Sequence, residues 1–117
     1  MKKEQNAVFL VQSNKDLFKP EQVVGKKLKI TAYKRLFKDK NLVKILENEA
    51  INETVDAFIK GGLNLSHASA SSYVHRNTLI YRIEKVNRVI GLDLRNFEDC
   101  LIFVNMREIY KMVVKKQ

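Results

Sequence analysis

The stretch from Tyr73 to Gly91, which reads YVHRNTLIYRIEKVNRVIG, decides the fold of this chain. Its most regular apolar residues recur at steps of four, three and four, a spacing that keeps them on one face of an α-helix. They are Leu79, Ile83, Val86 and Ile90. Gly91 follows the last of them and can close the helix in the left-handed conformation. The stretch therefore predicts one long amphipathic helix with a polar, basic first turn.

The residues just before this helix are small and polar, and read LSHASASS from Leu65 to Ser72. Asn64 or Ser66 can cap a short helix here. A short helix, a tight turn and a longer helix with a basic start are typical of a helix-turn-helix, whose second helix enters the major groove of DNA. A helical wheel places a polar face opposite the apolar stripe. This face has Asn77, Tyr81, Glu84 and Arg88 at its centre, with Thr78, Ile80 and Lys85 at its sides.

Helical spacing also marks the chain on either side of this pair. The preceding helix ends at Gly61-Gly62, and its apolar residues are Ile51, Val55, Phe58 and Ile59. A last helix begins at the cap Asn96 and runs to about Val114. Its residues 101–104 are all apolar, so we expect it to pack on more than one side, including against a partner subunit. The sequence predicts a mainly α-helical fold, a helix-turn-helix bundle of roughly three to five helices.

The first 45 residues show less regular patterns. The short apolar run Ala7–Val11 and the alternating segment Leu28–Ile30 are typical of strands and predict a small N-terminal β-strand pair. A helical turn or two is expected between Pro20 and Gly25. Two further helices are expected, one after Thr31 with Tyr33, Leu36 and Phe37 facing inward, and one from Asn41 with Leu42, Val43, Ile45 and Leu46 facing inward. We interpret residues 1–45 as an N-terminal extension, the tail of a preceding domain, and 46–117 as the helix-turn-helix domain.

Composition narrows the function. The 117 residues suit one domain, and the formal net charge of +9 favours a polyanionic partner such as nucleic acid. The basic residues between Lys26 and Lys40 fit a DNA backbone or a solvated helix face. No apolar stretch is long enough to span a membrane, and Cys100 is the only cysteine. A cytoplasmic location is expected.

The chain resembles the C-terminal helix-turn-helix domain of PucR-type transcriptional regulators, which include purine-catabolism and sugar-diacid regulators. The resemblance extends from about Ile51 to about Met106, and it is carried by Asn64-Leu65-Ser66, by the run from Tyr73 to Ile83 and by Gly91-Leu92-Asp93-Leu94. The layout is also similar, more distantly, to the DNA-binding ends of Fis-like proteins. The resemblance implies a bacterial DNA-binding domain with a recognition helix from about Arg76 to Ile90.

Two departures from the family stand out. The family usually has an alanine where this chain has Ser69 and a larger apolar residue where it has Ser72, at positions expected to press the first helix against the second. Regulators of this kind also carry an N-terminal sensory region, for which the residues before position 50 are too few. We therefore expect a fragment or a reduced relative, with an effector that the sequence does not identify.

The chemistry of the second helix agrees with DNA recognition. Arg76 can bind guanine, Asn77 can bind adenine or a phosphate, and Thr78 can reach a phosphate or a thymine methyl group. Phosphate contacts are expected from a larger set: Ser66, Tyr81, Arg82, Lys85 and Arg88. His75 belongs to the same candidate site, either touching DNA or capping the helix. The alternative for the charged members is that they only keep an exposed face soluble.

Other classes of function are less well supported. An enzyme would have to use Cys100 with His67 or His75, without a pattern that activates the thiol, and no metal or cofactor is expected. The sequence lacks the glycine clamp or the paired aromatic residues that an RNA-binding domain would use. A module for protein interaction or dimerisation that has lost DNA binding remains the main alternative. For DNA binding, we expect a homodimer through the C-terminal helix on an inverted repeat, with recognition helices about 34 Å apart.

Overall fold

The computed structural model describes residues 3–19 and 30–115, which contain α-helices and no strand. The helices are α1 (Lys3–Ser13), α2 (Ile30–Leu36), α3 (Lys40–Glu47), α4 (Glu49–Lys60), α5 (Leu65–Ser72), α6 (Arg76–Ile90) and α7 (Phe97–Tyr110). A 3₁₀ turn, Lys15–Phe18, follows α1, and a π-helical turn, Lys111–Lys115, follows α7. The predicted α-helical bundle is confirmed, and α1 to α3 add to the helices expected from residue 46 onward.

The predicted strand at Ala7–Val11 is wrong, because these residues lie inside α1. Ala7 and Val11, four positions apart, are fully buried, while Phe9 between them is 72% exposed. That is the burial pattern of a helix with one face on a core. The other predicted strand falls on residues 28 and 29, outside the described residues, and on Ile30, which begins α2. The turn expected between Pro20 and Gly25 also lies outside the described residues.

Asparagine or aspartate side chains cap the starts of α3, α4, α5 and α7. Asn48, Asn64 and Asn96 each accept a hydrogen bond from the backbone N–H three residues later, at 2.9 Å. Such caps satisfy donors that a helix start leaves free. The caps predicted at Asn64 and Asn96 are confirmed. Asp39, rather than Asn41, caps α3.

One hydrophobic core runs through the described helices, from Ala7 to Val113. Helix α1 packs along α6, where Gln12 donates a hydrogen bond from Nε2 to the carbonyl of Gly91 at 2.8 Å. Helix α1 therefore contacts the C-terminal end of α6, the predicted recognition helix. The division of the chain at residue 45 stays a prediction.

The apolar helix α7 is covered largely by its own chain. Phe103 and Met106 are fully buried, and Asn105 donates a hydrogen bond from Nδ2 to the carbonyl of Phe18 at 2.8 Å. Lys15 pairs with Asp99 at 3.2 Å and ties the segment after α1 to the start of α7. The all-round apolar pattern of α7 is thus explained by intramolecular packing, and dimerisation through it stays a prediction. Within residues 3–19 and 30–115, no helix has the length and apolar character needed to span a bilayer.

Candidate nucleic-acid interface

A tight turn joins α5 to α6. Ser69 donates a hydrogen bond from its hydroxyl to the carbonyl of Val74 at 2.6 Å, which closes this turn. His75 is the N-cap of α6, and its Nδ1 accepts a hydrogen bond from the N–H of Asn77 at 3.0 Å. The capping role considered for His75 is confirmed. Because Nδ1 is an acceptor, the neutral ring carries its proton on Nε2, which stays available as a donor.

Helix α6 is anchored by the predicted stripe. The four residues of the stripe are each at most 1% exposed, and they are Leu79, Ile83, Val86 and Ile90. Ala68 of α5 is also fully buried, so the short helix contributes to the same core. Gly91 ends the helix in the left-handed conformation, with φ of 78°. The orientation of α6 is therefore fixed by its buried face.

The opposite face of α6 is open to solvent. The exposed residues at its centre are Asn77, Tyr81, Glu84 and Arg88, as the helical wheel predicts, and Arg76 at the helix start is exposed as well. Thr78, Ile80 and Lys85 at the sides are half-buried. The face presents donors, an acceptor carboxylate and three cations along one helix.

The structure brings Arg76 together with Ser66. Nη1 of Arg76 donates to the hydroxyl of Ser66 at 3.3 Å, and both residues are exposed. The contact joins the starts of α5 and α6, two helix ends whose free N–H groups favour anions. Two residues selected from the sequence for different contacts therefore share one site.

Arg82 does not lie with the other candidate residues. Its guanidinium is half-buried and donates from Nη1 to the hydroxyl of Thr54 at 3.2 Å and to the carbonyl of Ala50 at 3.5 Å. Thr54 is 2% exposed on α4. The side chain expected at a phosphate is thus engaged between α6 and α4.

Two residues at this surface were missed by the sequence reasoning. Lys44 of α3 lines an open cleft of about 390 Å³ together with Lys85, which brings a second lysine to the side of α6. Tyr73, in the turn before α6, is 95% exposed. The spacing of apolar residues in α3 shows which face is buried, but it does not indicate that Lys44 lies beside α6. Tyr73 could have been noticed, because it is a large aromatic residue in a tight turn.

Ser69 and Ser72 have different surroundings. Ser69 closes the turn, as described above. Ser72 donates a hydrogen bond only to Ala68 of its own helix, at 2.7 Å, and it lines an open pocket of about 220 Å³ between α4, α5 and α6. The small side chain of Ser72 therefore leaves space behind α5.

Cys100, the nucleophile considered for catalysis, lies in surroundings that do not activate its thiol. Cys100 is 3% exposed, and burial raises the pKa of its thiol, an effect that the positive charge of Arg107 partly opposes. A buried thiol with a raised pKa is a weak nucleophile. In the described part of the chain, no three His, Cys, Asp or Glu side chains are grouped so that they could hold a metal ion.

Comparisons with known proteins agree with this geometry. Residues 52–104 match the family model of the PucR C-terminal helix-turn-helix domain. The chain is similar to the carbohydrate diacid regulator of Escherichia coli (strain K12), with 34% identity over 55 residues, 47% of this chain and 14% of that protein. It is also similar to the purine catabolism regulatory protein of Bacillus subtilis (strain 168), with 33% identity over 52 residues, 44% of this chain and 10% of that protein.

The chain thus spans at most 14% of the length of either relative. Both relatives are named as regulators and neither as an enzyme, in agreement with the expectation of a non-catalytic protein. No solved structure matches the chain significantly. The family match runs from α4 into α7 and includes all of α5 and α6. Residues 52–104 of this chain are therefore similar to the PucR C-terminal helix-turn-helix domain.

Proposed function

We propose that this chain is a sequence-specific DNA-binding transcriptional regulator, or the DNA-binding part of one, that reads the major groove with α6. The observation that carries the proposal is the two-sided character of α6. One face is fully buried, and the other presents exposed polar and basic side chains. The family match and the names of both relatives support the same function.

Base reading is assigned to the first turn of α6. Arg76 can donate two hydrogen bonds to guanine, and Asn77 can pair with adenine through its amide. Thr78, half-buried at the side of the helix, contacts a thymine methyl group or a phosphate. The N-terminal residues of a recognition helix are those that reach base edges in this kind of domain.

Phosphate binding is assigned to the residues around this turn. They are Ser66, His75 through its Nε2 proton, Tyr81, Lys85 and Arg88. Lys44 extends the group across the cleft beside Lys85. We assign Arg82 a supporting role, because its guanidinium is hydrogen-bonded to α4 and so holds the tilt of α6.

The proposed arrangement has two copies of the chain on an inverted repeat, with their recognition helices about 34 Å apart.

Fluorescence anisotropy with a labelled mixed-sequence duplex, measured over a series of salt concentrations, tests DNA binding. We expect the affinity to fall steeply with salt, and Arg88→Ala to reduce the slope of log K against log salt by about 1. Lys111→Ala is the control, because it removes one positive charge at an exposed lysine after α7, outside the candidate interface, and should leave the slope unchanged. A wild-type chain that binds no duplex, or equal slopes for the two variants, would contradict the proposal.

Sedimentation of the chain, alone and with an inverted-repeat duplex, tests the arrangement of two copies. We expect two copies on one duplex. A strict monomer under both conditions would remove the dimer from the proposal and leave DNA binding by a single α6 intact.

A further inference from the structure

We propose that Tyr73 is a DNA-contacting residue, which packs its ring on a deoxyribose and donates its hydroxyl to a phosphate beside the groove that α6 enters. This inference rests on the proposed function and adds a contact to it. The motivation is that Tyr73 has an unfavourable backbone conformation and no packing against the described residues that would offset it.

The backbone at Tyr73 is left-handed, with φ of 60° and ψ of 26°. A side chain with a Cβ atom is disfavoured there, and glycine or asparagine is the usual residue after a helix end. Tyrosine at this position therefore lowers the stability of the turn. Such strain in a folded protein is concentrated at functional sites.

Leu63 provides an internal comparison. It has nearly the same conformation, with φ of 62°, in the turn between α4 and α5. Leu63 is partly buried and packs against the hydrophobic core, so burial of its side chain offsets the strain. Tyr73 is 95% exposed, and its hydroxyl makes no hydrogen bond to any described residue. Packing in the core therefore accounts for the left-handed backbone at Leu63, but it does not account for that at Tyr73.

The position of Tyr73 indicates the partner. It lies two residues before the cap His75 and three before Arg76, on the turn that leads into the reading end of α6. The next residue, Val74, is partly buried against the core. A tyrosine at the edge of this surface has the apolar ring and the donor hydroxyl that a sugar and a phosphate require. Because tyrosine is neutral, the contact should release no counterion.

Three variants test the contact: Tyr73→Gly, Tyr73→Phe and, as a control for an exposed aromatic residue, Phe97→Ala. Phe97 is 69% exposed at the start of α7, beyond the opposite end of α6. Each variant is measured by anisotropy on a mixed-sequence duplex over a salt series and by thermal unfolding without DNA.

We expect Tyr73→Gly to weaken DNA binding about tenfold, with an unchanged salt slope, while its Tm rises by about 2 to 5 °C. Tyr73→Phe should lose part of the affinity, because the ring remains, and Phe97→Ala should lose none. A wild-type chain without affinity for DNA would overturn both this inference and the proposed function. Binding by the wild type with unchanged affinity in Tyr73→Gly, or a fall in Tm for that variant, would overturn the assignment of Tyr73 alone.

Discussion

Arg82 of α6 donates a hydrogen bond from Nη1 to the hydroxyl of Thr54 on α4, across 3.2 Å. The two residues are 28 positions apart in the chain, and the contact connects the candidate recognition helix to the helix that supports it. Thr54 itself donates to the carbonyl of Ala50 at 2.9 Å, so its oxygen is held in place to accept from Arg82.

A double-mutant cycle with Arg82→Ala and Thr54→Val tests this contact. We expect each single variant to lower the free energy of unfolding by about 1 kcal/mol and the pair to show a coupling of about 0.5 to 1 kcal/mol. Urea unfolding measures all four proteins. Arg82→Ala should also leave the salt slope of DNA binding unchanged, unlike Arg88→Ala. Additive effects in unfolding together with a reduced slope would place Arg82 on a phosphate instead.

Gly91→Ala tests whether α1 packs closely against the end of α6. A Cβ at Gly91 would lie 2.9 Å from Nε2 of Gln12 and 3.0 Å from Cγ1 of Val8, and φ there is 78°. Gly62, with φ of 70° and nothing within 4 Å, provides the matched control for backbone strain alone. In urea unfolding, we expect Gly62→Ala to cost about 1 kcal/mol and Gly91→Ala to cost about 1 kcal/mol more. Equal costs would mean that α1 does not pack closely at Gly91.

Ser72→Leu should stabilise the domain. Ser72 is half-buried at the pocket of about 220 Å³ behind α5, and its hydroxyl is bonded only within its own helix. A leucine fills part of that space, so we expect a gain of about 0.5 to 1 kcal/mol in the free energy of unfolding. Ser71→Leu is the control, since Ser71 is exposed on the same helix and does not line this pocket. A gain shared by both variants would show that the pocket is not its cause.

Tyr110 predicts a loss of stability at high pH. Burial and the hydrogen bond that it donates to Glu47 raise its pKa from 10.0 to about 12. Between these values the unfolded chain loses the proton while the folded chain keeps it, so rising pH favours unfolding. We expect Tyr110→Phe to be about 1 kcal/mol less stable than the wild type below pH 10, and this difference to shrink as the pH approaches 12.

Tyr81→Phe is the control for Tyr110→Phe, because it removes an exposed tyrosine hydroxyl from α6. It tests whether the loss of any tyrosine hydroxyl would change the pH dependence of stability. A constant difference between Tyr110→Phe and the wild type across the same pH range would argue against the raised pKa.

The sequence predicted the parts of the fold in which a local pattern and the packing agree. The steps of four, three and four in α6 identified its buried face, and the asparagines before α5 and α7 identified their starts. The exposed face of α6 followed from the same geometry. These features depend on neighbours within one or two helical turns, which the sequence displays directly.

The errors and omissions come from contacts between distant residues. A short apolar run such as Ala7–Val11 fits a strand or a buried helix equally well, and only its packing on α6 distinguishes them. Arg82 and Thr54 are separated by 28 positions, so no local pattern shows that the guanidinium turns inward. The apolar residues all round α7 also led to the prediction of a partner subunit. Residues near Phe18 cover one side of this helix, and dimerisation through it stays a prediction.

Selection of binding sites from random duplexes, carried out with the wild type and with Arg76→Ala, tests most directly whether α6 reads DNA. We expect the wild type to enrich a defined sequence, and Arg76→Ala to lose about 1 to 3 kcal/mol on that sequence while its affinity for mixed duplex changes little. No enrichment by the wild type, or equal losses on selected and mixed duplex for Arg76→Ala, would contradict sequence reading by this helix.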